Sequence, residues 1–115
     1  MAFEQYTYKR IEALTDEFIE KHRPPVHIRQ QLDLSFRIDN QSVIIFEIRP
    51  QWDNPEKKLE IVIAKSTFIR TKKIWKIFWH RSDMKWHRYD PAPQTERFEE
   101  FLQILDKDEC GCFWG

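Results

Sequence analysis

An amphipathic helix is predicted at the start of the chain, over residues 4–22. Charged side chains separate its apolar positions, which recur three or four residues apart, as one face of a helix requires. These apolar positions are Tyr8, Ile11, Leu14 and Phe18. The helix should end before Pro24-Pro25, because proline has no backbone N–H to donate and clashes with the preceding turn.

The centre of the chain alternates between apolar and polar side chains, which is the pattern of strands with one buried face. The alternation is clearest over residues 32–39. Further strands are predicted over residues 43–49, 59–70, 74–81 and 85–89, with turn-forming residues between several of them. Residues 50–56 contain two prolines and Trp52, and we expect them to form a loop that exposes the tryptophan.

A second helix is predicted over residues 95–106, followed by a polar and then aromatic tail over residues 107–115. Thr95 suits the N-cap position and Glu96 the first turn, where the helix dipole favours a carboxylate. The short connections between the strands leave no room for parallel crossovers. The sequence therefore predicts a single α+β domain over residues 1–115. It should hold an antiparallel meander of about five strands flanked by an N-terminal and a C-terminal helix, with both helices on one face.

The composition supports one folded domain. Of the 115 residues, 41% are hydrophobic and 15% aromatic, which is enough for a core despite 33% charged residues. Only two glycines occur, which excludes a glycine-rich phosphate-binding loop. No apolar run is long enough for a transmembrane helix, and the first residues lack the features of a secretory signal. We therefore expect a cytoplasmic protein with no membrane partner and no cofactor.

The charge is unevenly distributed, although the net charge is +0. Residues 65–89 carry eight Lys or Arg side chains and one Asp, and the predicted hairpin over residues 72–89 holds three of the five tryptophans. Aromatic rings beside cations are typical of surfaces that bind single-stranded nucleic acid. The same residue types anchor protein interfaces. A third interpretation is that the tryptophans fill the core.

The candidate binding residues fall into two groups. Those of the hairpin are Trp79, Arg81, Lys85, Trp86, His87, Arg88 and Tyr89. Glu47 and Arg49 form the second group, because residues two apart in a strand point to the same side. They are either an ordinary ion pair on the outer face, formed across the sheet, or the basic and anion-binding groups of a small hydrolase or nuclease that also uses His87. No catalytic residue is assigned.

The sequence contains the residue types of a zinc site, but their spacing is not typical of one. Cys110 and Cys112 together with His80 and His87 would make a Cys₂His₂ set. The Cys-x-Cys spacing is not that of the usual zinc knuckle, and nothing in the sequence places the histidines beside the tail. We predict no metal and two reduced thiols.

Several segments together resemble a bacterial family of domains of unknown function, family 3024. They are Glu47-Ile48-Arg49-Pro50, residues 75–79, residues 85–89 and the terminal Phe113-Trp114-Gly115. The resemblance runs from Arg23-Pro24-Pro25 to the last residue and includes the first helix more loosely. It implies a small bacterial protein with no assigned activity and supplies no catalytic residues. The Cys110-Gly111-Cys112 segment is not part of the family pattern.

These observations predict a binding module rather than an enzyme, acting through the aromatic and basic hairpin. A protein partner is slightly favoured over a single-stranded nucleic acid, because affinity for nucleic acid comes mainly from neutralised phosphates and this chain has no net positive charge. Homodimerisation through an apolar open face or an edge strand of the sheet is a further prediction.

Overall fold

A computed structural model describes residues 3–114 of the chain. Met1, Ala2 and Gly115 lie outside the described residues, and with them the ends of the predicted domain and tail. The helices are α1 (Gln5–His22) and α2 (Phe98–Lys107), with a short 3₁₀ helix at Val26–Ile28. The strands are β1 (Asp33–Asp39), β2 (Ser42–Gln51), β3 (Asn54–Ile69), β4 (Ile74–His80), β5 (Trp86–Arg88) and β6 (Gln94–Thr95).

The strands form an antiparallel sheet in which β1 to β5 lie side by side in chain order. The short strand β6 returns to pair with β4 beside β5. The predicted α+β class, the antiparallel meander and the two flanking helices are confirmed. The predicted helix over residues 4–22 and the predicted strand boundaries at β1, β4 and β5 agree with the structure to within one or two residues.

Both helices pack on one face of the sheet, as expected. The strand register lines up Ile38, Val43, Ser66 and Ile77 as directly opposed residues, which therefore share a face. Buried side chains of both helices complete this core, namely Ile11, Phe18, Ile19, Phe98, Phe101 and Leu105. Burial of this apolar surface is the main term that stabilises the fold.

The predicted loop over residues 50–56 is wrong. β2 continues to Gln51 and β3 begins at Asn54, so a tight turn joins two long strands. Pro50 and Pro55, which suggested the loop, lie inside the strands at a shift in the register between β2 and β3. Such irregular positions tolerate a residue without a backbone N–H. The expectation for Trp52 holds, since its side chain is 91% exposed.

The start of the second helix also differs from the prediction. Thr95 is not an N-cap; it lies in β6 opposite Trp75, and its hydroxyl donates a hydrogen bond to the carbonyl of Arg97 at 3.0 Å. The carboxylates in the first turn of α2 are Glu99 and Glu100. The local sequence favours Thr95 as an N-cap, but Thr95 instead pairs with β4, which is distant in sequence.

A bidentate ion pair connects the end of α1 to the first strand. The Nε and Nη2 groups of Arg23 donate to the two carboxylate oxygens of Asp33, each at 2.9 Å. These bonds hold the pKa of Asp33 below its usual range. The pair fixes the chain where it leaves the helix and enters the sheet.

We expect Phe101→Ala to lower the free energy of unfolding by about 3–5 kcal/mol, because it removes a fully buried ring from under α2. Urea denaturation followed by circular dichroism measures this change. Tyr6→Ala is the control, since Tyr6 is 76% exposed on α1, and it should change the free energy by less than about 0.5 kcal/mol. Equal effects of the two substitutions would contradict the packing described here.

Candidate binding face of the sheet

The second face of the sheet is not covered by either described helix. One row of directly opposed residues crosses β1 to β5 on this side and consists of Arg37, Ile44, Lys65, Phe78 and Arg88. Phe46, His80 and Trp86 lie on the same side by register. We call the surface formed by these eight residues the helix-free face. None of them belongs to the core cluster beneath the helices.

Cations lie over the aromatic rings of the helix-free face. The guanidinium of Arg37 lies 5.0 Å from the ring centroid of Phe46, which is only 5% exposed. The ammonium of Lys65 lies 5.0 Å from the Phe78 ring and 4.8 Å from the Trp86 ring. These are cation–π distances, so each cation already interacts with a ring within the same chain.

Lys65 is the most unusual charged group on this face. Its position against two aromatic rings removes water from the ammonium, and this desolvation lowers the pKa of Lys65. His80 adds a third ring, which meets Trp86 edge-on with centroids 5.0 Å apart. The centre of the face is therefore an aromatic cluster built around a partly desolvated cation.

The two outer cations of the row have carboxylate partners. Arg37 pairs with Glu60 at 2.6 Å, and Arg88 pairs with Asp90 at 2.8 Å. These partners reduce the positive potential that a phosphate would meet at the surface. The helix-free face is therefore more aromatic than basic in its effective chemistry.

The hairpin residues selected from the sequence do not form one surface. Trp86 and Arg88 lie on the helix-free face, whereas Trp79 and His87 oppose each other on the helix side. Trp79 packs against the core. The guanidinium of Arg81 lies 5.2 Å from the Trp79 ring. Lys85 is exposed in the turn.

Tyr89 lies in the core rather than on an exposed binding surface. The residue is 3% exposed, and its ring centroid lies 4.9 Å from that of Phe113. Burial, together with Cys110, raises the pKa of Tyr89 to about 12. Tyr89 anchors the C-terminal tail, because the tail folds back to bury Phe113 against it.

Glu47 and Arg49 form an ion pair, but not where the sequence suggested. The Nε and Nη2 groups of Arg49 donate to the same oxygen of Glu47, at 3.2 and 3.1 Å. The pair joins neighbours on one strand rather than crossing the sheet. Glu47 opposes Leu34, a core residue, so the pair lies on the helix side rather than on the outer face.

The residues of the hydrolase interpretation are not gathered into one site. Glu47 is on β2 and His87 is on β5, with β3 and β4 between them. Neighbouring strands lie about 4.8 Å apart, so these two strands are separated by about 14 Å. The cavity that Glu47 lines and the cavity that His87 lines share no residue. Convergence of these groups on one substrate is not a feature of this fold.

The histidines and cysteines are also separated. His80 and His87 are on opposite faces, since His80 opposes Trp86 and His87 opposes Trp79. Over residues 3–114, no group of three or more His, Cys, Asp or Glu side chains is arranged to hold a metal ion. Cys110 and Cys112 are free thiols, and burial raises the pKa of Cys112, which disfavours the nucleophilic thiolate.

Five residues of the helix-free face were named neither as binding nor as zinc candidates from the sequence, namely Arg37, Ile44, Phe46, Lys65 and Phe78. The alternation of β4 contained a signal, since Phe78 occupies the side opposite to Trp75 and Trp79. The sequence around Lys65 contained no such signal, because a register shift between Ile45 and Phe46 interrupts the pairing of β2 with β3 and cannot be read from the alternation. This bulge places Ile63 and Ala64 in the core and leaves Lys65 facing the other side.

Comparison with known proteins gives one match. A family model described as Domain of unknown function (DUF3024) matches residues 3–115 of the chain. No curated protein and no solved structure matches the chain. Among the described residues, no helix has the length and apolar character needed to cross a membrane.

We expect an NMR titration to show a pKa for Lys65 below its usual range, and Trp86→Ala to raise that pKa. The indole both attracts the ammonium and keeps water from it, and the lowered pKa means that the loss of water outweighs the attraction, so removal of the indole should favour the charged form. The measurement follows the ¹³Cε shift of labelled lysine, and Tyr6→Ala should leave the pKa of Lys65 unchanged. An ordinary Lys65 pKa in the unsubstituted protein would contradict the desolvated environment.

Proposed function

The chain belongs to the DUF3024 family, whose description assigns no function, and we propose that it is a non-catalytic binding module for a protein partner. The helix-free face is the binding surface. The observation that carries this proposal is the cluster of Phe78, Trp86 and Lys65 on a sheet face that no described helix covers. Trp, Tyr and Arg are the side chains that most often anchor protein interfaces.

The apolar content of the helix-free face supports an interface. An antiparallel sheet with one face in solvent normally alternates between apolar residues inside and polar residues outside. Here the outer positions include Ile44, Phe46, Phe78 and Trp86, so both faces of the sheet carry large apolar side chains. A contiguous apolar surface rimmed by polar groups is typical of interaction sites.

The charges support a protein over a nucleic acid. Arg37 and Arg88 already pair with Glu60 and Asp90, and the net charge of the chain is +0. The face of Phe46 is covered by Arg37, which reduces the ring surface on which a base would stack. A protein partner needs neither free phosphate-binding cations nor open ring faces.

A single-stranded nucleic acid is the second candidate. Lys65 between Phe78 and Trp86 supports it, because a cation beside stacked rings is the arrangement that holds a phosphate next to a base. Arg88, whose side chain is 72% exposed, supplies a second cation on the same face.

We place this activity in the bacterial cytoplasm. In this reducing compartment the thiols of Cys110 and Cys112 would stay unpaired.

Photo-crosslinking in bacterial cells tests the protein-partner proposal. Lys76 is exposed on the same side of β4 as Phe78, and a benzophenone amino acid in its place should give an adduct with another protein. The adduct should disappear when Phe78→Ser and Trp86→Ser are added, and persist with Tyr6→Ser. The same probe at Glu12, on α1, is the positional control and should give no such adduct.

The identified protein is then purified and titrated against the chain. Loss of the Phe78 and Trp86 rings should weaken its binding by about 30-fold or more, as expected for interface anchors. The proposal is contradicted if the probe at position 76 gives no adduct, or if the adduct still forms after the Phe78 and Trp86 rings are removed.

Fluorescence anisotropy with a labelled single-stranded oligonucleotide tests the second candidate. Binding through phosphates should fall steeply between about 50 and 200 mM salt, and it should be lost in a Lys65→Gln/Arg88→Gln variant. Lys72→Gln/Lys73→Gln, which removes two positive charges in the β3–β4 turn, is the control for net charge. If the binding falls steeply with salt and is lost in the Lys65→Gln/Arg88→Gln variant, the ligand is a single-stranded nucleic acid rather than a protein.

A further inference from the structure

The longest strand has an edge that no described strand pairs with. β4 pairs with β3 only from Ala64 to Ile69. Residues 58–62 of β3 pair with β2 on one side, no described strand pairs with their other edge, and residues 54–61 are exposed. We call the ends of β2 and β3 and the turn that joins them, residues 49–61, the arm.

The exposed arm carries apolar side chains with little to pack against. Residues 54–60 are exposed throughout, and Leu59 and Ile61 remain 45% and 43% exposed. A two-stranded hairpin is only marginally stable when it stands alone in water. An additional strand along the free edge would satisfy its backbone groups and cover these side chains.

We propose that this edge pairs antiparallel with the same edge of a second copy of the chain, so that one sheet continues across a homodimer. This inference goes beyond the protein partner proposed for the helix-free face, because it concerns a different surface and a different partner. The charges of the arm itself favour a second copy of the chain as the partner of this edge.

Symmetry limits the ways in which the two edges can pair. Directly opposed residues share a sheet face, and the two-fold axis of an antiparallel pair is perpendicular to the sheet. The axis must therefore pass midway between one residue and the same residue of the other copy, and we name each register by that residue. An axis at Lys58 places two lysines opposite each other, and an axis at Glu60 does the same with two glutamates.

An axis at Leu59 gives a complementary register. The two Leu59 side chains then oppose each other, and Lys58 of each copy opposes Glu60 of the other. Opposite charges in directly opposed positions stabilise an antiparallel pair, whereas like charges destabilise it. The regular part of the open edge, from Lys58 to Val62, ends before Ala64, where the pairing of β3 with β4 begins.

The two charged residues already have contacts within their own chain. Lys58 donates to the carbonyl of Gln30 at 2.8 Å, and Glu60 accepts from Arg37 at 2.6 Å. All of these are exposed contacts, which contribute little to stability, so they can be exchanged for pairs between copies. The perpendicular axis also places the helix-free faces of both copies on the same side of the continuous sheet.

Analytical ultracentrifugation with charge exchange tests the proposal. The unsubstituted chain should sediment as a dimer at micromolar concentration. Lys58→Glu and Glu60→Lys, each alone, should raise the dissociation constant about tenfold or more, because each places like charges in two symmetric positions. An equimolar mixture of the two variants should dimerise again, since an acidic arm then opposes a basic one.

Matched controls separate this register from a general effect of charge. Lys72→Glu and Glu12→Lys make the same changes in net charge away from the arm, and both should remain dimeric. Mixing these two control variants should produce no gain in association. Circular dichroism establishes that every variant is folded, and Leu59→Lys provides an independent disruption at the axis.

Three results would overturn the homodimer. The first is a monomeric mass of the unsubstituted chain at high micromolar concentration, which would mean that the charges of the edge protect it from pairing. The second is a dimer that Lys58→Glu, Glu60→Lys and Leu59→Lys all leave unchanged. The third is a mixture of the two charge variants that stays monomeric.

Discussion

The pairing of β3 with both of its neighbours is the interaction on which the rest of the structure depends. Over residues 64–67 this strand pairs with β2 and with β4, and it thereby joins the N-terminal part of the sheet to the C-terminal part. The core residue Ala64 and the cation Lys65 are adjacent in it and point to opposite faces. The register of β3 therefore decides both which residues enter the helix-covered core and which lie on the helix-free face.

A bulge in this strand decides how the two faces are divided. The register shift between Ile45 and Phe46 lets both Ile63 and Ala64 join the core. It also keeps Val62 opposite Phe46 on the helix-free side. A bulge of this kind bends the strand and increases its twist. The arm that continues beyond the bulge leaves the region where β4 provides a neighbour, which explains why its edge is open.

Two surfaces with different physical character result from this division. The helix-free face combines aromatic rings with a partly desolvated lysine, and its two arginines are paired with nearby carboxylates. The arm offers backbone groups and alternating charges instead. A homodimer formed through the arms would double the helix-free face on one side of the sheet, so the two proposals are compatible in geometry although each stands on its own residues.

The sequence by itself determined the fold class, because periodicities of 3.6 and 2 residues and the proline stops are local properties. It also determined the exposure of Trp52 and the same-side placement of Glu47 and Arg49. Only the tertiary structure decided which face each tryptophan takes and that Lys65 contacts Phe78 and Trp86. The reason is that a one-residue bulge reverses every facing position beyond it, and pairing with a distant strand, as at Thr95, overrides local preference.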